Sequence, residues 1–408
     1  MKRKTFAIVG ASLAGAHAAH QLRRDGFDGR IVLIGAERHL PYDRPPLSKS
    51  VLVGEAEPAT TALWSESDYA EADIDVLLAT RVTRIRPAER VVELDNGLDM
   101  VADQILLCTG SYPRKLRIPG LEQQGVFALR TLDDSVRLHG ALLPGASVVV
   151  IGFGFIGAEV AAAAVKRGCE VKLVEAAALP MQRVLGSEVA QRYCDLHREH
   201  GVDIHLNAAV GKVRGNGRCQ SVVLANGCEL PADVVVYGVG ASPSTELAET
   251  AGIEVDNGVV VDARCQTSID GIFACGDVAI RPSTFSTGNI RLETWQNAYR
   301  QGMAAAKAML GSKEPFDELP WFWTDQYDVK MQLAGLCYPS DEVIWRGAQD
   351  SFDCLVFYIS ESRVRAVLGF NRPRDVRAVM HLIRKQVPVN SAELGDEWSN
   401  LTGLSSCL

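Results

Sequence analysis

The sequence predicts an α/β protein with two separate Rossmann-like βαβ units, followed by a smaller α+β region. Two glycine-rich turns and one change of character carry this prediction. The turns are Gly10-Ala-Ser-Leu-Ala-Gly15 and Gly152-Phe-Gly-Phe-Ile-Gly157, and each follows an apolar run and opens a helical pattern. The change comes at about residue 318, where short strand patterns and the cluster Trp321-Phe-Trp323 replace the alternation of strands and helices.

In the second unit, Ser147-Val-Val-Val-Ile-Gly152 reads as a buried parallel strand and Ala158 to Lys166 as an alanine-rich helix. Gly152 allows the tight turn, Gly154 lets the backbone approach a pyrophosphate, and Gly157 lets helix and strand pack closely. The phosphates then sit at the positive end of the helix dipole. Glu175 ends the next strand, Glu170-Val-Lys-Leu-Val-Glu175, where a carboxylate accepts hydrogen bonds from an adenosine ribose. An acid at that position favours NADH, because a 2′-phosphate would meet like charge.

The first unit departs from this pattern. Phe6-Ala-Ile-Val-Gly10 is a good strand, but Ser12 replaces the middle glycine, so the backbone must reach the phosphate past a hydroxymethyl group. A helix over Ala14 to Arg23 follows, and the strand Gly29-Arg-Ile-Val-Leu-Ile-Gly35 ends at Ala36-Glu37, which makes Glu37 the candidate ribose ligand. The competing reading is an ordinary βαβ unit whose glycines serve packing alone.

At 408 residues the chain exceeds one ordinary core, so two or three domains are expected. Apolar residues at 47% and charged residues at 23% match a globular protein. No apolar run reaches the ~18 residues of a membrane span, and the Met-Lys-Arg-Lys start runs directly into a strand, so a cytoplasmic location is expected. A net charge of −8 argues against wholesale nucleic-acid binding while leaving room for a local basic patch.

Ten cysteines, at 108, 169, 194, 219, 228, 265, 275, 337, 354 and 407, show no C-x-x-C and no metal-ligand spacing, so no metal is expected. Cys108 and Cys275 end apolar runs, where free cysteine behaves as a small core residue. A dithiol-relay flavoenzyme needs a redox-active cysteine facing the flavin, and the loop after the first βαβ unit contains none.

The elements nest. Residues 1–107 and 243–317 form one discontinuous domain, 108–242 a second and 318–408 a third. Val91 to Gly97 reads as a hairpin and Asp103 to Gly110 as a short buried strand ending in a glycine turn. Thr267 to Asp277 reads as a strand that delivers Asp277 at its carboxyl end. A helix near Thr294 to Leu310 stops at Gly311, and a basic helix runs from Arg374 to Lys385.

These segments carry a resemblance. The two glycine turns, Pro41-Tyr-Asp-Arg-Pro-Pro-Leu-Ser-Lys49, Leu129-Arg-Thr131, Ile272-Phe-Ala-Cys-Gly-Asp277 and Leu319-Pro-Trp-Phe-Trp-Thr-Asp-Gln-Tyr327 resemble the FAD-dependent, NADH-using ferredoxin reductases of bacterial oxygenase systems. The resemblance covers essentially the whole chain and implies a glutathione-reductase-type fold. The first unit then binds FAD, with Gly10, Ser12, Leu13, Ala14, Gly15, Glu37, Arg44, Pro45, Lys49, Val82, Thr109, Gly110, Arg130, Gly276, Asp277, Glu293, Thr294 and Trp295 as its contacts. The second binds NADH through Gly152, Gly154, Phe155, Ile156, Gly157, Glu159, Glu175 and Gly240. Ala36 occupies the place where several relatives carry the ribose acid, one residue before Glu37.

The resemblance also sets Lys49 beside the isoalloxazine and makes Glu159 its partner, the two catalytic residues. A cation near the flavin's N5 edge stabilises negative charge that develops on reduction. Asp277 is implied to bond the ribityl chain, its other reading being a helix N-cap. Arg44 and Arg130 engage phosphate or a ring, or are surface arginines. The resemblance implies that hydride passes from NADH to FAD and that single electrons pass on to a [2Fe-2S] ferredoxin with an acidic surface, which serves a cytochrome P450 or Rieske-type oxygenase. Arg372, Arg374 and Arg377 are the candidate steering charges, or a solvated helix face. Trp323 is implied to lie near the flavin, although Trp321 and Trp323 also suit a core. Two other functions stay open: an NADH-dependent reductase of quinone, rubredoxin or oxygen, and a redox sensor resembling apoptosis-inducing factor. A monomer or a homodimer is expected.

Overall fold

A computed structural model of the chain describes residues 3–401 and 403. Met1, Lys2 and Cys407 lie outside the described residues. Two compact units form. One comprises the chain up to Asp43, Ala59–Tyr112 and Ala241–Pro320; the other comprises Arg44–Pro58, Pro113–Gly240 and the chain from Trp321 onward.

The first unit is built on a five-stranded parallel sheet in the order Ile272–Ala274, Gln104–Leu107, Thr5–Val9, Arg30–Ile34 and Ile74–Leu77. Its strands read as continuous apolar runs because helices or loops cover both faces, as parallel pairing requires. The Leu13–Arg24 helix follows the central strand and packs against the Trp295–Met309 helix. The approach is close: a Cβ on Gly302 would stand 2.4 Å from the Ala14 carbonyl oxygen. Val82–Arg86, Val91–Leu94 and Asp99–Val101 make a small antiparallel sheet, which contains the expected hairpin.

The second unit repeats this plan. Its parallel sheet runs Asp203–His205, Glu170–Val174, Ser147–Ile151, Val234–Tyr237 and Val126–Phe127. Its antiparallel sheet joins Val210–Gly215, Cys219–Leu224 and Glu229–Pro231. The same unit contains a five-stranded antiparallel sheet ordered Trp321–Gln326, Val329–Gly335, Arg363–Phe370, Asp353–Ser360 and Glu342–Ala348. The Pro373–Lys385 helix lies against it and buries Val376, Val379, Leu382 and Ile383. Among the described residues no helix is long and apolar enough to cross a membrane.

Helix ends differ from expectation by a few residues. The helix of the second glycine turn starts at Phe155, not Ala158, because the turn itself supplies the first helical residues. Thr294 lies outside its helix as the N-cap, its hydroxyl accepting from Asn297 N–H at 3.2 Å. The segment read as one strand from Thr267 to Asp277 is a strand only over Ile272–Ala274. Gly276, at φ +77°, then turns the chain into a short 3-10 helix, Gly276–Val278, whose N-cap is Cys275. Asp277 is therefore not a helix N-cap, which removes its alternative reading.

Candidate functional site

Both glycine turns are shaped by contacts that exclude any side chain. Gly10 has φ +118°, and a Cβ there would fall 2.1 Å from the Cys108 carbonyl oxygen. Gly152 has φ +98°, and its Cβ would fall 2.5 Å from the Gly238 carbonyl oxygen. The third glycines pack helix onto strand: a Cβ on Gly15 or Gly157 would stand 2.1 or 2.0 Å from the carbonyl oxygen of Gly10 or Gly152. The middle position is different. A Cβ on Gly154 meets no atom within 4 Å, and the backbone is extended at φ −79°. Ser12, at the same place in the first turn, is extended too, at φ −130°. Serine therefore fits where the family pattern has glycine.

The helices that follow are open at their N-termini. Neither Ser12 nor Gly154 caps its helix through a side chain, and neither first turn contains an acid. By contrast, capping boxes close the Glu66–Glu71 and Leu132–Ala141 helices. Uncapped first-turn amides with the positive dipole end behind them suit a pyrophosphate. This donor set, with the open space ahead of Gly154, fits two dinucleotide cofactors.

In the first unit, Ala14 and Gly276 meet, since a Cβ on Gly276 would come 3.2 Å from that of Ala14. Gly276 N–H donates to Gln301 Oε1 at 2.9 Å. Asp277 Oδ2 accepts from the Ser111 hydroxyl at 3.2 Å, and its carbonyl accepts from Arg291 at 3.1 Å. Arg291 also pairs with Glu293. Thr109 donates to the Ser244 carbonyl at 2.8 Å, and Gly110 takes φ +69°. Leu13 and Val82 are buried. Trp295 stacks on Tyr299, 5.2 Å between centroids, and its indole N–H donates to Asp43 Oδ1 at 2.7 Å. Glu37 Oε2 accepts from the Tyr42 phenol at 2.6 Å, a contact that fixes the carboxylate past the end of the Arg30–Ile34 strand.

In the second unit, Pro45 opens a 3-10 helix, Pro45–Ser48, and Arg44 donates to the Arg130 carbonyl. Arg130 N–H donates to Asp134 at 3.2 Å. Lys49 follows the 3-10 helix, and its Nζ lies 2.7 Å from Glu159 Oε1. Glu159 is 4% exposed and accepts from two further donors, the Ser48 hydroxyl at Oε2 and the Thr324 hydroxyl at Oε1, 2.6 Å away. A buried carboxylate needs such partners, since desolvation without them costs several kcal/mol, on the order of 3 to 5 when one partner of a buried pair is removed. Glu175 stands just beyond the Glu170–Val174 strand and receives Phe153 N–H at 2.9 Å and Ala177 N–H at 2.8 Å. Ile156, at 47% exposed, projects from the first turn, and Gly240 takes φ +102°.

Several contacts at the candidate site were not foreseen from the sequence. Ser48, Thr324, Gln326 and His197 join the Glu159 neighbourhood, and all four are buried. The available signal was the pair of polar residues at alternate positions of a strand, Thr324 and Gln326, which share one face. The basic cluster also needs correction. Arg372 is the N-cap residue of the Pro373–Lys385 helix and pairs with Asp353 at 2.6 Å and Glu397 at 3.2 Å, so its charge is spent internally. Arg374 and Arg377 are exposed.

Comparison with known proteins agrees with this geometry. A family model described as pyridine nucleotide-disulphide oxidoreductase matches residues 4–302, and one described as reductase C-terminal matches residues 321–405. The ferredoxin–NAD(+) reductase subunit of the benzene 1,2-dioxygenase system of Pseudomonas putida is 39% identical over 396 residues, covering 97% of this chain and 96% of that relative. The corresponding component of the biphenyl dioxygenase system of Paraburkholderia xenovorans is 38% identical over 402 residues, covering 98% of each. The crystal structure of the covalent putidaredoxin reductase–putidaredoxin complex superposes with a TM-score of 0.96 at 36% identity, over 100% of this chain and 99% of that one. With two glycine turns of dinucleotide-binding geometry inside the matched region, the chain belongs to the pyridine nucleotide-disulphide oxidoreductase family and carries its reductase-type C-terminal domain.

Proposed function

We propose that the chain is an NADH:ferredoxin oxidoreductase of an oxygenase system, with FAD on residues 1–107 and 243–317 and NADH on 108–242. The electron acceptor is a [2Fe-2S] ferredoxin that feeds a cytochrome P450 or a Rieske-type oxygenase. The observation that carries this reading is the ion pair between half-buried Lys49 and buried Glu159 on a chain with two uncapped glycine-turn helices. Relatives named as ferredoxin–NAD(+) reductases of dioxygenase systems support the choice of acceptor.

Bound FAD supplies hydride acceptance and release of electrons one at a time. The protein supplies position and charge. Lys49, held by Glu159, presents a fixed ammonium whose orientation costs no reorganisation at the moment negative charge develops. Ser48 and Thr324 keep Glu159 from following Lys49 outward. Glu175 faces the adenosine ribose and disfavours a 2′-phosphate, which sets NADH above NADPH. Hydride transfer needs no general acid or base. An acidic ferredoxin approaches the exposed Arg374, Arg377 and Arg384 of the Pro373–Lys385 helix, which share one face at helical spacing.

The test is anaerobic mixing with NADH or NADPH, followed by candidate ferredoxins. Fast loss of oxidised-flavin absorbance with NADH, slower loss with NADPH and reoxidation by a [2Fe-2S] ferredoxin are expected. Protein that stays colourless after flavin supplementation sinks the proposal, and reoxidation by quinone or oxygen alone replaces the acceptor.

A further inference from the structure

A chain of hydrogen bonds runs through the second unit from Tyr327 to Glu159, and its direction follows from which atoms can donate. Thr324 Oγ1 lies 2.6 Å from Glu159 Oε1. A carboxylate only accepts, so the single hydroxyl proton of Thr324 points at Glu159. Thr324 Oγ1 must then accept from Gln326, whose amide nitrogen Nε2 is 3.1 Å away. That fixes the amide with its oxygen on the far side, where Gln326 Oε1 lies 2.8 Å from His197 Nε2. His197 Nε2 therefore carries the ring proton, Nδ1 is bare, and the Tyr327 hydroxyl 3.0 Å from Nδ1 is its donor.

Every link donates toward Glu159. Reversing one link would leave two acceptors or two donors face to face at the next, and none of these groups reaches water easily: His197 is 0%, Thr324 1% and Gln326 2% exposed. Burial also keeps the imidazole neutral, lowering its pKa to about 4. Phe153, Tyr193 and Tyr327 pack against the ring with centroids 4.9, 5.7 and 5.2 Å away, and His200 is the neighbouring ionisable group that acts on it.

We propose that Thr324, Gln326 and His197 are positioning residues for the Lys49–Glu159 pair, forming a one-way donor chain that aims the Glu159 carboxylate at Lys49. His197 is thereby fixed as the neutral Nε2–H tautomer. The inference rests on the catalytic reading of Lys49 and Glu159 given above. It reaches beyond it by tying that pair to the Ser187–Glu199 helix and the Trp321–Gln326 strand.

Two measurements test it. The first is the 15N spectrum of the FAD-loaded protein labelled at histidine, with His197 assigned by the signal missing in His197→Gln. A neutral ring at pH 7 with a protonated Nε2 and a bare Nδ1 is expected; an imidazolium or an Nδ1–H tautomer overturns the chain. The second is the limiting rate of flavin reduction by NADH and its half-saturating concentration in Thr324→Val, Thr324→Ser, Gln326→Leu and the double variant Thr324→Val with Gln326→Leu. Thr324→Val is expected to slow the limiting rate roughly tenfold, the scale of one hydrogen bond to a charged group, with little change in half-saturation. Thr324→Ser should restore it, and the double variant should be no slower than Thr324→Val, because both break the same chain. Additive losses, or no loss in Thr324→Val, overturn the positioning role. If the wild-type protein takes up no FAD or is not reduced by NADH, the functional reading fails instead, and the same spectrum recorded without flavin still decides the donor chain through the tautomer of His197.

Discussion

The sulfur atoms of Cys108 and Cys275 lie 3.3 Å apart, both thiols buried, where the Gln104–Leu107 and Ile272–Ala274 strands end side by side. The family to which the chain belongs is named for disulphide chemistry, and this is the pair that invites the comparison. Environment argues the other way. The Cys275 thiol is held well above its ordinary pKa, first by its hydrogen bond with Cys108 and then by burial, so little thiolate forms. We expect both thiols to resist alkylation in the native protein at pH 8 while the exposed Cys228 reacts. Mass spectrometry in a Cys407→Ser background, alongside NADH oxidation, checks this. Labelling of Cys108 or Cys275 with parallel loss of flavin reduction would reinstate a thiol relay.

A second expectation concerns the two glycine turns. Since the middle position is open and extended, Gly154→Ser should fold as the parent does, with a stability change within about 1 kcal/mol. Gly157→Ala places a Cβ 2.0 Å from a backbone oxygen and should cost roughly 3 kcal/mol or more, because strand and helix cannot both stay in place. Urea unfolding of the two variants makes the comparison. Equal losses would mean that the turn is not under the constraint its geometry describes.

Acid should destabilise the protein in a defined window. His197 has a pKa lowered to about 4 by burial, against 6.5 when unfolded. Between those values the unfolded chain binds more protons, so stability is complete above pH 6.5 and falls as the pH drops toward 4. The loss amounts to about 3 kcal/mol for this one group. In the other unit His17, also lowered to about 4, and His20 act in the same sense through desolvation. Unfolding free energies across this range should slope downward in the parent and less steeply in His197→Gln. An unchanged slope removes His197 as the cause.

Local patterns in the chain proved readable where a residue type answers to local geometry. Gly10 and Gly152 could be read because a positive φ and a carbonyl at van der Waals limits leave no alternative. Lys49 and Glu159 were reachable only through resemblance, being 110 residues apart with no pattern linking them, and the structure now places them in contact. Thr324 escaped notice because it lies 165 residues from Glu159, and a threonine in a strand needs no special reason. The Cys108–Cys275 contact required the register of two strands separated by 167 residues. Arg372 was misjudged for the opposite reason. Arg374 and Arg377 follow it in sequence, while its partners in space are Asp353, Glu397 and Asp375.

That last distinction separates the arginines by experiment. Arg374 and Arg377 are exposed on the helix, and no ion pair of theirs occurs among the described residues, so reversing them to glutamate removes positive potential from the surface without breaking a structural contact. Steering by exposed charge raises the rate of encounter and fades within a Debye length of about 8 Å at physiological salt. Arg374→Glu with Arg377→Glu should therefore slow bimolecular ferredoxin reduction roughly tenfold at low ionic strength, with the gap closing as salt is added. Reduction of the flavin by NADH, which does not involve this helix, should stay as it was. Arg372→Glu should behave differently: it sets a carboxylate against Asp353 and Glu397 and should lower the melting temperature at every salt concentration. If the double reversal leaves both the rate and its salt dependence untouched, the ferredoxin docks elsewhere.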